Sequence, residues 1–261
     1  MTYICKMKNG LLIIWISAFL TACNNNNNVE SSISDEPKKS EKLSSLEDRV
    51  KRHIESSLTI PATEHYTYKI YKENLDGDAK QDAIITVNRL EFAMNEAAKS
   101  KNPAKQAEIG FMGNHNYIFY YDGALDQLSP YIPIPSSPNA ALKIQFENIT
   151  SSLYKDILID FRIVNGCFRD FLTVVNHTPQ RIFQWKVFDG INKSNTEAYS
   201  FKFEQGKLCD SKDILVMKAS FKQDQKAEDM YAYEPKIQAS KEVLYRFFFY
   251  PKEGKYITMK E

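Results

Sequence analysis

The sequence predicts a mainly β domain of antiparallel meanders, with degenerate propeller-like blades as one way of arranging them, an N-terminal helix and a short helical insertion. Three observations carry this expectation. From Tyr66 onward, apolar residues alternate with polar ones at a period of two through several short runs, the pattern of half-buried strands. Tyr and Phe, 15 and 16 in number, favour a pleated surface over a helix. Turn dipeptides separate several of the runs: Asp122-Gly123, Asp189-Gly190 and Gln205-Gly206.

The elements follow in order. Leu43, Leu46, Val50, Ile54 and Leu58 recur at helical spacing and stop before Pro61, which predicts one amphipathic helix. Its polar face mixes Glu47, Asp48, Lys51, Arg52 and Glu55, so it is expected to pack on the domain and not to lie on a membrane. Strands are expected over residues 66–70, 83–87, 117–121, 157–164, 171–175, 182–188, 214–221 and 243–250. Residues 90–101 are rich in Ala, Glu and Lys and read as a helical insertion ending near Pro103. A weak repeat is visible in Asp82-Ala83-Ile84-Ile85, Asp156-Ile157-Leu158-Ile159 and Asp213-Ile214-Leu215-Val216. It fits degenerate blades, and it fits equally three unrelated strands that each begin on a capping Asp.

The N-terminus carries a different signal. Lys6 and Lys8 precede an apolar run over 11–20, and small Thr21 and Ala22 precede Cys23. That order of charge, apolar run and small residues is that of an export signal, and the run is too short to span a bilayer. Leu20-Thr21-Ala22-Cys23 resembles the lipobox of bacterial lipoproteins. The resemblance implies a signal peptide over 1–22, a Cys23 that is diacylated (palmitate among its acyl chains) and a protein held at the cell envelope membrane. Asn24, standing where Asp would favour the inner membrane, implies the outer membrane. Residues 23–42 hold the lipidated Cys and a polar tether, Asn-, Ser-, Glu- and Lys-rich, that cannot bury enough surface to fold and spans on the order of 25 Å. Residues 43–261 form a single β-rich domain.

Charge excludes one class of partner. The net charge is +1, falling to −1 once Lys6 and Lys8 leave with the leader, so no field attracts nucleic acid. Beyond the leader and Cys23, only Cys167 and Cys209 remain. In an oxidising envelope they are expected to pair as a disulfide, two buried free thiols being the alternative. No CxxC and no paired His complete a zinc site.

One stretch carries chemistry. Asn74, Asp76, Asp78 and Asp82 place oxygen side chains at alternating positions, with Lys80 offering its carbonyl and Gly77 the turn. A hard cation taking six to eight oxygens suits this spacing. Ala79 and Ile85 stand where an EF-hand needs Gly and Glu, and an apolar strand follows in place of a helix. The pattern resembles the calcium loops of FG-GAP and VCBS-type repeats, which implies a structural Ca2+ on Asn74, Asp76, Asp78, Lys80 and Asp82. Residues 148–156, ahead of the second repeat, carry no carboxylates at the third and fifth positions.

No GxSxG, HExxH or phosphate loop occurs. The expectation is a membrane-tethered, non-enzymatic β-domain that binds a protein or glycan or serves envelope structure. The alternative is a small envelope hydrolase whose site is assembled from residues distant in sequence. Titratable groups converging on a cavity would favour the enzyme, and exposed aromatic surface would favour binding.

Overall fold

The computed structural model describes residues 45–223 and 233–258; the expected leader, Cys23 and tether lie outside them. Helix α1 (Leu46–Ser57) comes first. Three antiparallel meanders follow, as the alternating pattern predicts. The first runs β1 (Thr67–Glu73), β2 (Asp82–Asn88), β3 (Asn116–Asp122) and β4 (Gln127–Leu128), with β5 (Ile132–Pro133) returning to β3. The second runs β6 (Lys143–Glu147), β7 (Asp156–Ile163), β8 (Gly166–Val175) and β9 (Thr178–Asp189). The third runs β10 (Glu197–Glu204), β11 (Asp213–Phe221), β12 (Ile237–Tyr250) and β13 (Lys255–Ile257).

By strand order the second and third meanders make one eight-stranded sheet. By packing they are two facing layers. β9 and β10 pair only at Asp189↔Glu197 and Phe188↔Ala198, and the sheet folds over at that joint. Phe183 of β9 and Phe247 of β12 have ring centroids 4.7 Å apart, where three flat strand spacings would part them by about 14 Å.

Strand alternation then sorts each second strand between two neighbours. Ala83, Ile85 and Val87 of β2 meet Val50, Ile54 and Leu58 of α1. On the other face Ile84, with Tyr120 of β3, meets Ile157 and Ile159 of β7. Leu158 and Phe171, on the far face of that second meander, meet Ile214 and Val216 of β11. Leu215 and its partner Arg246 belong to the remaining face, where Arg246 bridges Glu204 and Asp213. The order is therefore helix, first, second and third meander, then a charged outer face.

The connections within each meander gather alternately at two rims. The β1–β2, β6–β7 and β10–β11 loops share one rim with the β3–β4, β8–β9 and β12–β13 turns. Contacts between them mark it: Gly123 N–H donates to Asp82 Oδ1 at 2.9 Å, Lys155 N–H to the Asn74 carbonyl at 2.9 Å and Lys212 N–H to the Ile149 carbonyl at 2.7 Å. Helix α1 starts at this rim, since Arg49 pairs with Asp126 of the β3–β4 turn at 2.8 Å. Ser45 caps it, its hydroxyl accepting from Asp48 N–H while Asp48 reaches back to Ser45 N–H, a reciprocal cap. The helix ends at the opposite rim, where Arg89 Nη1 donates to the Leu58 carbonyl.

Two expectations need correction. The helical insertion does not end near Pro103: α2 (Leu90–Lys99) is followed by α3 (Pro103–Gly110), which starts on that proline. Proline's missing N–H costs nothing in a first turn, and Asn102 caps the Ala104 N–H. Five strands beyond those expected are also present, β6 and β10 among them. Both alternate but bury few side chains, which blunts the apolar signal.

Because α1 alone covers the first face of β2, truncating its buried centre should cost the full cavity penalty. Ile54→Ala is expected to lower unfolding stability by about 3 kcal/mol in a urea titration; a loss under 1 kcal/mol would mean that α1 is not part of the core.

Candidate metal centre

The three rim loops that open the second strands share one construction. Each runs Glu, then Asn or Gln, then seven residues, then Asp: Glu73-Asn74 to Asp82, Glu147-Asn148 to Asp156, Glu204-Gln205 to Asp213. In each, the Glu pairs across the hairpin with the Asp. In each, the amide side chain donates to a carbonyl within the loop: Asn74 to Asp78, Asn148 to Tyr154 and Gln205 to Asp210. The repeat that the sequence shows only faintly is thus a whole loop-and-strand unit.

The closing aspartates are all fully buried, but they are satisfied differently. Asp82 accepts from Leu75 N–H at 3.0 Å and from Gly123 N–H at 2.9 Å. Gly123 approaches so closely that a Cβ there would lie 2.3 Å from the Gln81 carbonyl oxygen. Asp156 accepts from Ile149 N–H, Thr150 N–H and the Thr150 hydroxyl. Asp213 takes its bond from the Arg246 guanidinium at 2.8 Å. The residue paired with the second position after each Asp is Tyr120, Phe171 and Arg246 in turn. A cation stands there only where that face is outermost.

In the first loop, Asn74 Oδ1 accepts from Gly77 N–H, Asp76 Oδ1 from Asp78 N–H and Asp78 Oδ1 from Lys80 N–H. Gly77, at φ +83°, lets the chain turn beneath the Tyr154 ring of the next loop. Burial pushes the Asp82 carboxyl up against its two N–H donors, and Asp76 and Asp78 push it the same way. Among the described residues no Lys or Arg forms an ion pair with Asp76, Asp78 or Asp82.

The residues that converge most closely are not those of the loop alone. Asp76, Asp122 at the end of β3 and His177 in the β8–β9 turn bring ligand atoms within 4.8 Å of one another. His177 Nδ1 lies 2.6 Å from Asp122 Oδ2. A carboxylate at that distance favours the tautomer with the proton on Nδ1, in which Nε2 is the lone-pair donor. Asp122 Oδ1 also accepts from Leu125 N–H. Asn176 and His177 both take left-handed backbone, φ +50° and +61°, as a tight hairpin turn requires. Beside them opens a cavity of about 360 Å³ lined by Tyr120, Asp122, Gln127, Ser129, Tyr131 and His177. Asp122 and His177 carry no motif and lie 55 residues apart, so only the fold brings them to Asp76.

The expected Cys167–Cys209 disulfide is not formed: both thiols are free. Cys167 stands near the start of β8, at one rim, and Cys209 in the 205–212 loop at the other. A bridge needs the two Cα atoms within about 7 Å, and most of a strand separates them. Burial pushes the Cys167 thiol up to about 12.

A second cavity, of about 280 Å³, lies towards the opposite rim between the second meander and residues 234–237. Arg169 grips Asp160 through two bonds of 2.6 and 2.7 Å and lies 5.2 Å from the Phe201 ring centre. Lys143 pairs with Glu234 beside them.

No protein-family model matches the chain, and no curated protein or solved structure matches it either.

The second loop gives a test of how these aspartates are held. Burial raises the Asp156 carboxyl and the Thr150 donors oppose it. Thr150→Val removes one donor and should raise the carboxyl further. A carboxyl raised in the folded state binds its proton more tightly there, so the variant recovers as pH falls. At neutral pH it should lose about 1–2 kcal/mol, and the deficit should shrink towards pH 4 in paired denaturation curves. A deficit that grows on acidification would mean that the hydroxyl does not serve the ionised form.

Proposed function

We propose that this chain is a lipid-anchored envelope protein whose stacked-meander domain is a non-enzymatic binding or structural module, stiffened by one calcium ion in its first rim loop. The observation that carries the calcium reading is the contrast among three loops of equal length. The third has a built-in cation, Arg246, on its aspartate. The second holds one carboxylate and meets it with three donors. The first holds Asp76, Asp78 and Asp82, with Asp122 beside them and no Lys or Arg paired to the three loop carboxylates among the described residues. A divalent cation supplies the charge that this loop lacks. Asp76 is common to the loop and to the convergence with Asp122 and His177.

The anchor rests on Leu20-Thr21-Ala22-Cys23 and its leader. The binding role is supported by the cavity beside Arg169 and Asp160, whose lining also includes Phe201 and Tyr199. Hydroxyl-rich rings suit such a wall, bonding to charged groups at the edge and stacking on the aromatic face. A glycan is the ligand class that this favours.

One observation supports a second reading, a hydrolase. The Asp122–His177 pair opens on its own cavity, and an imidazole oriented by a buried carboxylate is a general base. Turnover of ester or glycoside substrates that is lost in His177→Gln would establish it.

Two experiments test the leading reading. Metabolic labelling with palmitate should mark the chain, and Cys23→Ser should abolish the label and release the protein from membranes; an unlabelled wild-type chain ends the anchor reading. Calcium added to chelator-stripped protein should raise the melting temperature. With a dissociation constant on the order of 10⁻⁴ to 10⁻³ M, tenfold excess over that constant adds about 1.4 kcal/mol. Magnesium should do less, and Asp76→Ala or Asp78→Ala should remove the effect while the apo fold persists. No calorimetric heat at millimolar calcium would reduce the loop to a plain turn.

A further inference from the structure

The rim that carries the three loops also carries the two most exposed large apolar side chains among the described residues: Leu153, 79% exposed, in the second loop, and Leu208, 63% exposed, in the third. Leu125, 49% exposed, stands at the β3–β4 turn of the same rim. None of the three serves the core, and loop tips are ordinarily polar. Lysines stand among them: Lys80 in the first loop, Lys155 in the second and Lys207 in the third. The chain enters the domain here as well, because Ser45 and the first turn of α1 lie at this rim, with Arg49 on Asp126.

We infer that this rim is a membrane-contact surface, which sets Leu125, Leu153 and Leu208 into the interface of the bilayer that holds the anchor. The inference rests on the lipid-anchored reading for its partner and on the rim geometry for its orientation. A chain that leaves from one rim brings that rim within the tether's reach of the membrane. Apolar tips buried to the headgroup boundary, with lysines at the level of anionic phosphates, are the features of an interfacial contact. Asp76 and Asp78 share the rim and would repel anionic lipid, so the contact is strongest when calcium fills their loop.

The test removes the anchor and keeps the rim. The mature chain carrying Cys23→Ser is sedimented, in millimolar calcium, with vesicles of phosphatidylethanolamine and phosphatidylglycerol. It should bind, and Leu153→Glu with Leu208→Glu should cut the bound fraction at least about tenfold, with no change in melting temperature because both side chains are exposed. Met94→Glu is the control: Met94 is 54% exposed but lies on α2, at the opposite rim, and its loss should leave binding as it was. An anchor-free chain that stays in the supernatant overturns the inference. So does a double variant that binds as well as its parent, or a Met94→Glu chain that weakens equally. Palmitate labelling of the unmutated chain separates the two ideas. A labelled protein whose Cys23→Ser form ignores vesicles loses the rim contact alone, and an unlabelled protein that still binds them loses the anchor alone.

Discussion

A buried carboxylate at the head of each second strand is the constraint from which the rest of this domain follows. Asp82, Asp156 and Asp213 are sealed from solvent, and each sits opposite a Glu at a fixed loop length. A strand's side chains alternate between faces, so a slip of one residue would exchange everything the two faces present. Here both faces of β2 and β7 are packed, and a slip would misplace two interfaces at once. The aspartate prevents it locally. Its acceptors are matched by N–H groups of the same loop for Asp82 and Asp156, and a buried carboxylate deprived of those donors would cost more than the slip could return. Register is therefore pinned at the rim by a polar contact that agrees with the apolar layers on either side.

The same logic explains the ends of the stack. A repeat array must stop somewhere, and its last face must tolerate water. At one end α1 supplies Val50, Ile54 and Leu58 to the face of β2 that no meander covers. At the other the sequence itself changes. Where the first two meanders place Tyr120 and Phe171 against a neighbour, the third places Arg246, whose stem lies beside Leu215 and whose head joins Glu204 and Asp213. A long basic side chain can cover apolar surface and keep its charge wet. The cation on the third aspartate is thus a by-product of being outermost; in the first meander the equivalent position is Tyr120, buried against the second meander.

Much of this was legible in the chain. The period-two runs, the turn dipeptides, the α1 pattern and the Asp-led strands all read correctly, because each reports local burial. What the sequence concealed has a physical reason in each case. β6 and β10 are short on buried side chains and so carry little contrast. The Glu-Asn/Gln-to-Asp spacing was present in plain text, but its loops differ at almost every position between those ends, so only the apolar residues that follow Asp stood out. Asp122 and His177 join Asp76 through packing of the first meander on the second, a fact no local pattern encodes. The disulfide expectation failed because counting cysteines is blind to rims: Cys167 stands at one rim near the start of β8, and Cys209 at the other in the loop between β10 and β11.

The two rims differ in what they permit. Loops on the first rim touch one another, as Lys155 does Asn74 and Lys212 does Ile149, and their length is held constant across the repeats. Connections at the opposite rim also touch one another, as Ile191 does Asn165, but their lengths vary widely, from the two residues that join β7 to β8 to the insertion that carries α2 and α3. The cavity beside Arg169 and Asp160 opens towards that variable side, with Ala140 and Ala141 of one connection and Glu234 of another on its walls. Under the proposed anchor, a tether leaving from the constant rim would place that rim nearer the membrane, and the connections left free to vary in length would then be where recognition is built.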